Sequence, residues 1–315
     1  MEKQSSKWKC SGVQKNQTKV MNPSAEIHRQ HNPIIISNNK ILKVSRDFKQ
    51  ENTIVTIKDV KIGNGSNVMI AGPCSIESEE QLFETALAVK AFGADILRAS
   101  AFKPRTNPYA FQGLGIKGLK LLKKIADELE MPAETEVMDS SMVKIAAKYA
   151  DSLRVGARNM QNFDLLKKLG KINNPVIIKN GLSSNIEEFL GAAEYIVNEG
   201  NPNVILCLRG IRTFETTTRF TLDVGLVEVL KQKTHLPVIV DPSHAAGTKN
   251  LVFPLSRAAL AAGADGLLVE VHRNPAEALS DASQQLTPEQ FHKLMMQVRE
   301  INNAMKKIEA IDKWK

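Results

Sequence analysis

Cysteine is scarce in this 315-residue chain, which has Cys10, Cys74 and Cys207 and no others. Three are too few for a disulfide framework, and a reducing compartment would keep Cys74 available as a thiolate. Long apolar runs are missing as well. No segment approaches the roughly 18 to 20 uninterrupted apolar residues of a membrane span, and the first twenty residues lack the core of a signal peptide, so the expected location is the cytoplasm. Most of the chain also lacks an excess of charge of either sign. Residues 1 to 50 hold ten Lys or Arg against three Asp or Glu, which leaves 32 against 31 for the remainder. The isoelectric point near 9.3 therefore comes from one end, and no basic face for nucleic acid is expected. There is no internal repeat at a fixed period.

What the chain does have is a rhythm. Eight short apolar runs follow one another: VMIAGP (68–73), ILRAS (96–100), AETEVM (133–138), SLRVGA (152–157), PVIIKN (175–180), VILCLRG (204–210), PVIVDP (237–242) and GLLVEVH (266–272). Most are β-branched and nearly continuous, as parallel strands buried on both faces should be. Between them lie stretches with helical spacing. After the last run, Thr287, Pro288 and Gln290 read as N-cap, first helical residue and capping-box partner, and Leu294, Met295, Val298, Ile301 and Met305 share a face. Ser184 and Glu187 suggest a similar helix start after the fifth run. Strand and helix alternate to the end, which predicts a (β/α)8 barrel, the TIM-barrel fold, over residues 67–315. Residues 40–66 read as a lead-in and a β-hairpin capping the barrel. Residues 1–39 are a polar tail, rich in Lys, Gln, Asn and Ser, that buries too little apolar surface to offset ordering and is expected to be disordered.

In such barrels the strand ends and the loops that follow them build the active site. Cys74 follows the first run, His244 the seventh, Glu270 ends the eighth and Asp281 lies on the loop beyond. Alone, a cysteine is usually a small buried hydrophobe and a histidine or glutamate is often only hydrogen-bonded. Four such residues on adjacent strand ends point to a divalent metal such as Mn2+, Fe2+, Co2+ or Zn2+, and the mixed donor set does not choose among them. A second constellation is cationic: Arg98 with Lys103-Pro104-Arg105-Thr106, then Arg158, Lys179 and Arg209. Arginine forks grip phosphate and carboxylate bidentately. Exposed lysines such as Lys117, Lys120, Lys123 and Lys124 belong to ordinary surface pairs, but charges embedded in apolar strands would be costly without a purpose. The rim is expected to hold a phosphorylated, carboxylated substrate.

At these residues the chain resembles 3-deoxy-D-arabino-heptulosonate 7-phosphate (DAHP) synthase of the type I beta group. The resemblance is carried by IAGPCSIES, LRASAFKPRTNPYAFQGLG, VGARNMQNF, RGIRTFETTTR, LPVIVDPSHAAG, ALAAGADGLLVEVH and ALSDASQQLTPEQF, and runs from about Ile41 to Ile308. It implies condensation of phosphoenolpyruvate with erythrose 4-phosphate, the first step of the shikimate pathway, and a homodimer or homotetramer. It also implies that Cys74, His244, Glu270 and Asp281 ligate the metal, and that Arg98, Lys103, Arg158, Lys179 and Arg209 surround phosphoenolpyruvate. Arg105 and Thr106 would hold the aldose phosphate, and Glu136 would be a pocket carboxylate. Lys103, lying between the two anion sites, is the candidate for giving a proton to the aldehyde oxygen.

The chain departs from that group at three places: Leu208 stands where Glu is usual, Asn180 where Arg is common, and Ala99-Ser100 replaces a Gly pair. The N-terminal stretch is too short for a full regulatory module, so no intrinsic feedback inhibition by aromatic amino acids is expected. Two alternatives stay open on sequence grounds. One is the sister enzyme making 3-deoxy-D-manno-octulosonate 8-phosphate from arabinose 5-phosphate, whose relatives resemble KANRS where this chain has KPRT. The other is a catalytically silent barrel that binds anions or a partner.

Overall fold

The computed structural model describes residues 35–36, 40–65 and 67–312. The expected tail, residues 1–39, lies outside them apart from Ile35–Ile36, which pairs antiparallel with Lys40–Ile41. Eight strands close a wholly parallel barrel: β1 (Val68–Gly72), β2 (Ile96–Arg98), β3 (Ala133–Val137), β4 (Ser152–Val155), β5 (Val176–Lys179), β6 (Val204–Leu208), β7 (Val238–Val240) and β8 (Gly266–Glu270). Neighbours pair in chain order, and β8 closes on β1 with Glu270 opposite Gly72. Each strand falls inside its expected run, and all are buried throughout. No helix among the described residues is long and apolar enough to cross a membrane.

Strand periodicity sorts the side chains. Alternate residues such as Met69, Leu97, Leu153, Leu206 and Leu208 face the surrounding helices. Their neighbours in sequence point inward, where Val68, Ile70, Ile96, Ile177, Ile205, Cys207, Ile239 and Leu268 form a separate apolar layer. The hairpin of Val55–Ile57 and Val60–Ile62 packs into that layer through Val55, Ile57 and Ile62, all fully buried. Two residues further along, the same inward face carries charge: Arg98 follows Ile96, Lys179 follows Ile177, and Arg209 follows Cys207. The barrel thus has an apolar end plugged by a hairpin and a charged end. Ile57→Ala is expected to lower stability by about 2–5 kcal/mol, the cost of an unfilled cavity. A urea midpoint indistinguishable from the parent's would show that the hairpin lies outside the cooperative unit.

The helix start predicted at Ser184 is displaced by one residue. Asn185 caps the helix Ile186–Asn198, accepting from the Glu188 amide at 2.8 Å while Glu188 accepts from the Asn185 amide at 2.9 Å. Ser184 instead donates to the carbonyl of Gly181; both residues satisfy the same spacing, and asparagine wins the cap. The C-terminal helix Pro288–Asp312 starts as expected, with reciprocal bonds between Thr287 and Gln290. It buries Phe291, Leu294, Met295 and Val298.

Candidate active site

The pairing of Glu270 with Gly72 puts the ends of β8 and β1 level, so Glu270 lies beside the turn bearing Cys74. His244 sits on a five-residue helix, Pro242–Ala246, whose N-cap Asp241 accepts from the His244 amide at 2.8 Å. Asp281 adopts a left-handed backbone, φ +47°, a conformation that aspartate tolerates better than most residues. Ligand atoms of Cys74, Glu270 and Asp281 lie within 4.8 Å of one another. Sγ of Cys74 is 3.2 Å from Asp281 Oδ2. Nε2 of His244 is 3.7 Å from both Glu270 Oε1 and Asp281 Oδ2. Bonds of roughly 2.0–2.3 Å to a tetrahedral ion would separate ligand atoms by about 3.3–3.8 Å, so the donor set fits a divalent ion in chemistry and in spacing.

The surroundings hold these groups in place. Arg98, fully buried, pairs with Glu270 at 2.8 Å and donates to the carbonyl of Cys74 at 3.3 Å. Gln285 accepts from the Cys74 amide at 3.0 Å. Nζ of Lys103 is 2.9 Å from the sulfur of Cys74. His244 Nδ1 lies 2.8 Å from Asp241 Oδ2, and Asp241 is also bonded by Lys179.

Charge here is shaped by burial against neighbours. Burial pushes the Cys74 thiol up to about 12, and Glu270 adds to that, while Lys103 opposes it. Burial disfavours ionised Glu270 as well, but His244, Arg98 and Lys103 hold it far below the usual carboxylate range. Lys103 goes the other way: burial opposes its charge, and Cys74, Glu136 and Glu270 more than offset it, leaving the ammonium favoured. Burial lowers Lys179 with help from Arg154, against Asp241.

Lys103, Arg105, Thr106, Glu136, Arg158, Lys179, Arg209, His244 and Asp281 line one pocket of about 580 Å³. Of the residues expected at the site, Cys74, Glu270 and Arg98 are fully buried and do not line it. Arg158 is exposed on the rim and donates to the carbonyl of Pro104 at 3.2 Å. The most telling wall residue is Arg209. It is 4% exposed and stacked 3.6 Å over the ring of Phe220, and its Nε and Nη1 have no hydrogen-bond partner among the described residues. Burial lowers its pKa to about 10. A buried guanidinium with unmatched donors facing a pocket is a site for an anion.

The sequence reading passed over three arginines of the pocket wall: Arg154, Arg212 and Arg219. Arg154 is 1% exposed and bonded to Glu134 at 2.8 Å, Glu136 at 3.2 Å and Ser100 at 2.9 Å. As a charge inside an apolar strand it met the criterion that had singled out its neighbours, and counting by twos back from Gly156 would have turned it inward. Gly156 leaves room for Glu136 there: a Cβ would lie 2.2 Å from Glu136 Oε1 and push that carboxylate aside.

With that geometry in place, comparison with known proteins is decisive. The family model described as the DAHP synthetase I family matches residues 36–307. The chain belongs to this family. It is 51% identical over 262 residues to the phospho-2-dehydro-3-deoxyheptonate aldolase of Thermotoga maritima, covering 83% of this chain and 78% of that one. A crystal structure of the Thermotoga maritima DAHP synthase superposes with a TM-score of 0.81 at 50% identity, covering 83% of this chain and 77% of that one. A truncated form from the same organism gives 0.78 at 47%, covering 83% of this chain and 96% of that one. A 2-dehydro-3-deoxyphosphooctonate aldolase from Fusobacterium nucleatum is more distant, 31% identical over 79% of this chain and 98% of that one. The scaffold accommodates Leu208, Asn180 and Ser100, the residues expected from the resemblance to be departures. Leu208 packs in the helix-facing layer. Asn180 accepts from the Arg209 amide at 2.7 Å and donates to the Gly210 carbonyl at 3.3 Å. Ser100 supplies the third acceptor for Arg154.

Proposed function

We propose that the protein condenses phosphoenolpyruvate with D-erythrose 4-phosphate and water, giving 3-deoxy-D-arabino-heptulosonate 7-phosphate and inorganic phosphate. The observation that carries this is the juxtaposition of a sulfur, nitrogen and carboxylate donor set with a pocket walled by Lys103, Lys179 and Arg209. Its 51% identity to the Thermotoga maritima enzyme supports the same reading. Cys74, His244, Glu270 and Asp281 would hold a divalent ion, Mn2+ foremost, which supplies Lewis acidity to the aldehyde oxygen. Arg209 and Lys179 bind phosphoenolpyruvate, and Arg105 and Thr106 bind the aldose phosphate. The methylene carbon of phosphoenolpyruvate attacks the aldehyde carbon, and Lys103, kept as an ammonium, gives the aldehyde oxygen its proton. Water adds to the former enol carbon, and the hemiketal phosphate loses phosphate to leave the keto acid. Throughout, the arginines steady the moving negative charge. Assembly as a homodimer or homotetramer with closed symmetry, which the resemblance implies, is part of the proposal.

The test is phosphate release by metal-stripped protein with Mn2+ restored. Turnover is expected with erythrose 4-phosphate and not with arabinose 5-phosphate. Preference for the five-carbon sugar, or silence with both sugars despite bound Mn2+, would reject the reading.

A further inference from the structure

Gln284 belongs neither to the donor set nor to the pocket lining, yet it is fully buried between them. Its Nε2 donates to Glu270 Oε2 at 2.6 Å, and its Oε1 accepts from Arg219 Nη1, also at 2.6 Å. Arg219 lines the pocket, and the same Nη1 lies 3.7 Å from Asp281 Oδ1. One carboxamide therefore spans from a candidate metal ligand to a cation on the substrate wall.

The backbone around it is fixed at several points. Leu286 bridges Val271 in parallel, and its amide donates to the carbonyl of Glu270 at 2.9 Å. The Gln284 amide donates to the carbonyl of Asp281 at 3.2 Å, and Ser283 Oγ donates to the carbonyl of Gly247 at 3.0 Å. Gly247 has φ +69°, and a Cβ there would meet Cβ of Arg219 at 2.5 Å, so the absence of a side chain at 247 leaves room for the arginine's stem. Rotating the carboxamide away would break both of its hydrogen bonds at once. A planar amide passes displacement between its two partners because both of its hydrogen-bonding atoms are committed.

We infer that Gln284 is a positioning residue that couples the metal site to the anion-binding wall: it orients Glu270 for the ion and Arg219 for substrate through a single side chain. The inference rests on the function proposed above. Outer partners of metal ligands typically govern affinity by about 10–100-fold, and coupling between two ligands is reciprocal, so an anion held at Arg219 tightens metal binding as much as metal tightens anion binding.

Gln284→Met tests it, since methionine is close in length and shape and forms neither bond. The readout is the Mn2+ dissociation constant of metal-stripped full-length protein, by competition with a chelating dye, measured without and with saturating phosphoenolpyruvate. Gln284→Met is expected to weaken Mn2+ binding by about tenfold or more and to abolish the tightening that phosphoenolpyruvate produces in the parent. Mn2+ affinity within twofold of the parent, with the phosphoenolpyruvate effect intact, would overturn the inference. If Gln284→Met does not fold, Arg219→Met approaches the same link from its more exposed end. It should lose the phosphoenolpyruvate effect at concentrations that saturate the variant, and retention of the effect would again overturn the inference. Failure of the parent itself to turn over erythrose 4-phosphate would count against the proposed function instead, so the two failures are separable.

Discussion

Replacing Cys74 with alanine is expected to weaken divalent-metal binding at least about 100-fold, beyond the loss typical of outer partners, and to take turnover with it. The sulfur sits 3.2 Å from Asp281 and 2.9 Å from Lys103, so its loss removes a donor and the atom that separates an ammonium from a carboxylate. In Cys74→Ala, Lys103 can then move toward Asp281 and compete for the place of the cation. Burial stops water from replacing the missing ligand cheaply, because the residue is fully enclosed. Titration of metal-stripped Cys74→Ala with Mn2+ checks this. Binding equal to the parent's would show that the thiol is not a ligand, whatever its proximity.

Lys103→Met is expected to separate the two poles of the site in the opposite sense. Methionine fills much of the lysine's volume without a charge or a proton, and general-acid groups contribute typically 10²–10⁴-fold, so turnover should fall by about that range. Mn2+ affinity should survive, since Lys103 donates to Cys74, a candidate ligand, and is not itself one of the donor set. Single-turnover rates at saturating substrate, compared with Mn2+ titration of the same preparation, separate chemistry from binding. Near-normal turnover would eliminate Lys103 as the proton donor, and a collapse in metal affinity would recast it as a support for Cys74.

Much of this was legible in the chain because buried parallel strands announce themselves as unbroken apolar runs. Their endings place chemistry at one rim, which is how Cys74, His244, Glu270 and Asp281 were picked out from positions far apart in sequence. The hairpin was legible within residues 40–66, but not how deeply its side chains enter the barrel's apolar layer. What stayed hidden depended on partners that only closure of the barrel supplies. Arg154 reads as one charge in a strand until Glu134, Glu136 and Ser100 are beside it. Gln284 reads as a polar loop residue until β8 delivers Glu270 and the loop after β6 delivers Arg219. The sequence spacing fits Ser184 and Asn185 equally, and only the structure shows Asn185 as the cap and Ser184 turned to the Gly181 carbonyl.

The hairpin plug has a bearing on how such a protein can change over generations. Val55, Ile57 and Ile62 pack with the apolar layer, while Lys103, Lys179 and Arg209 line the pocket, so durability and specificity draw on different residues. Substitutions in sets that share no partners tend to act independently. A lineage could harden or soften the plugged end while the open end explores other sugars, each experiment leaving the other undisturbed.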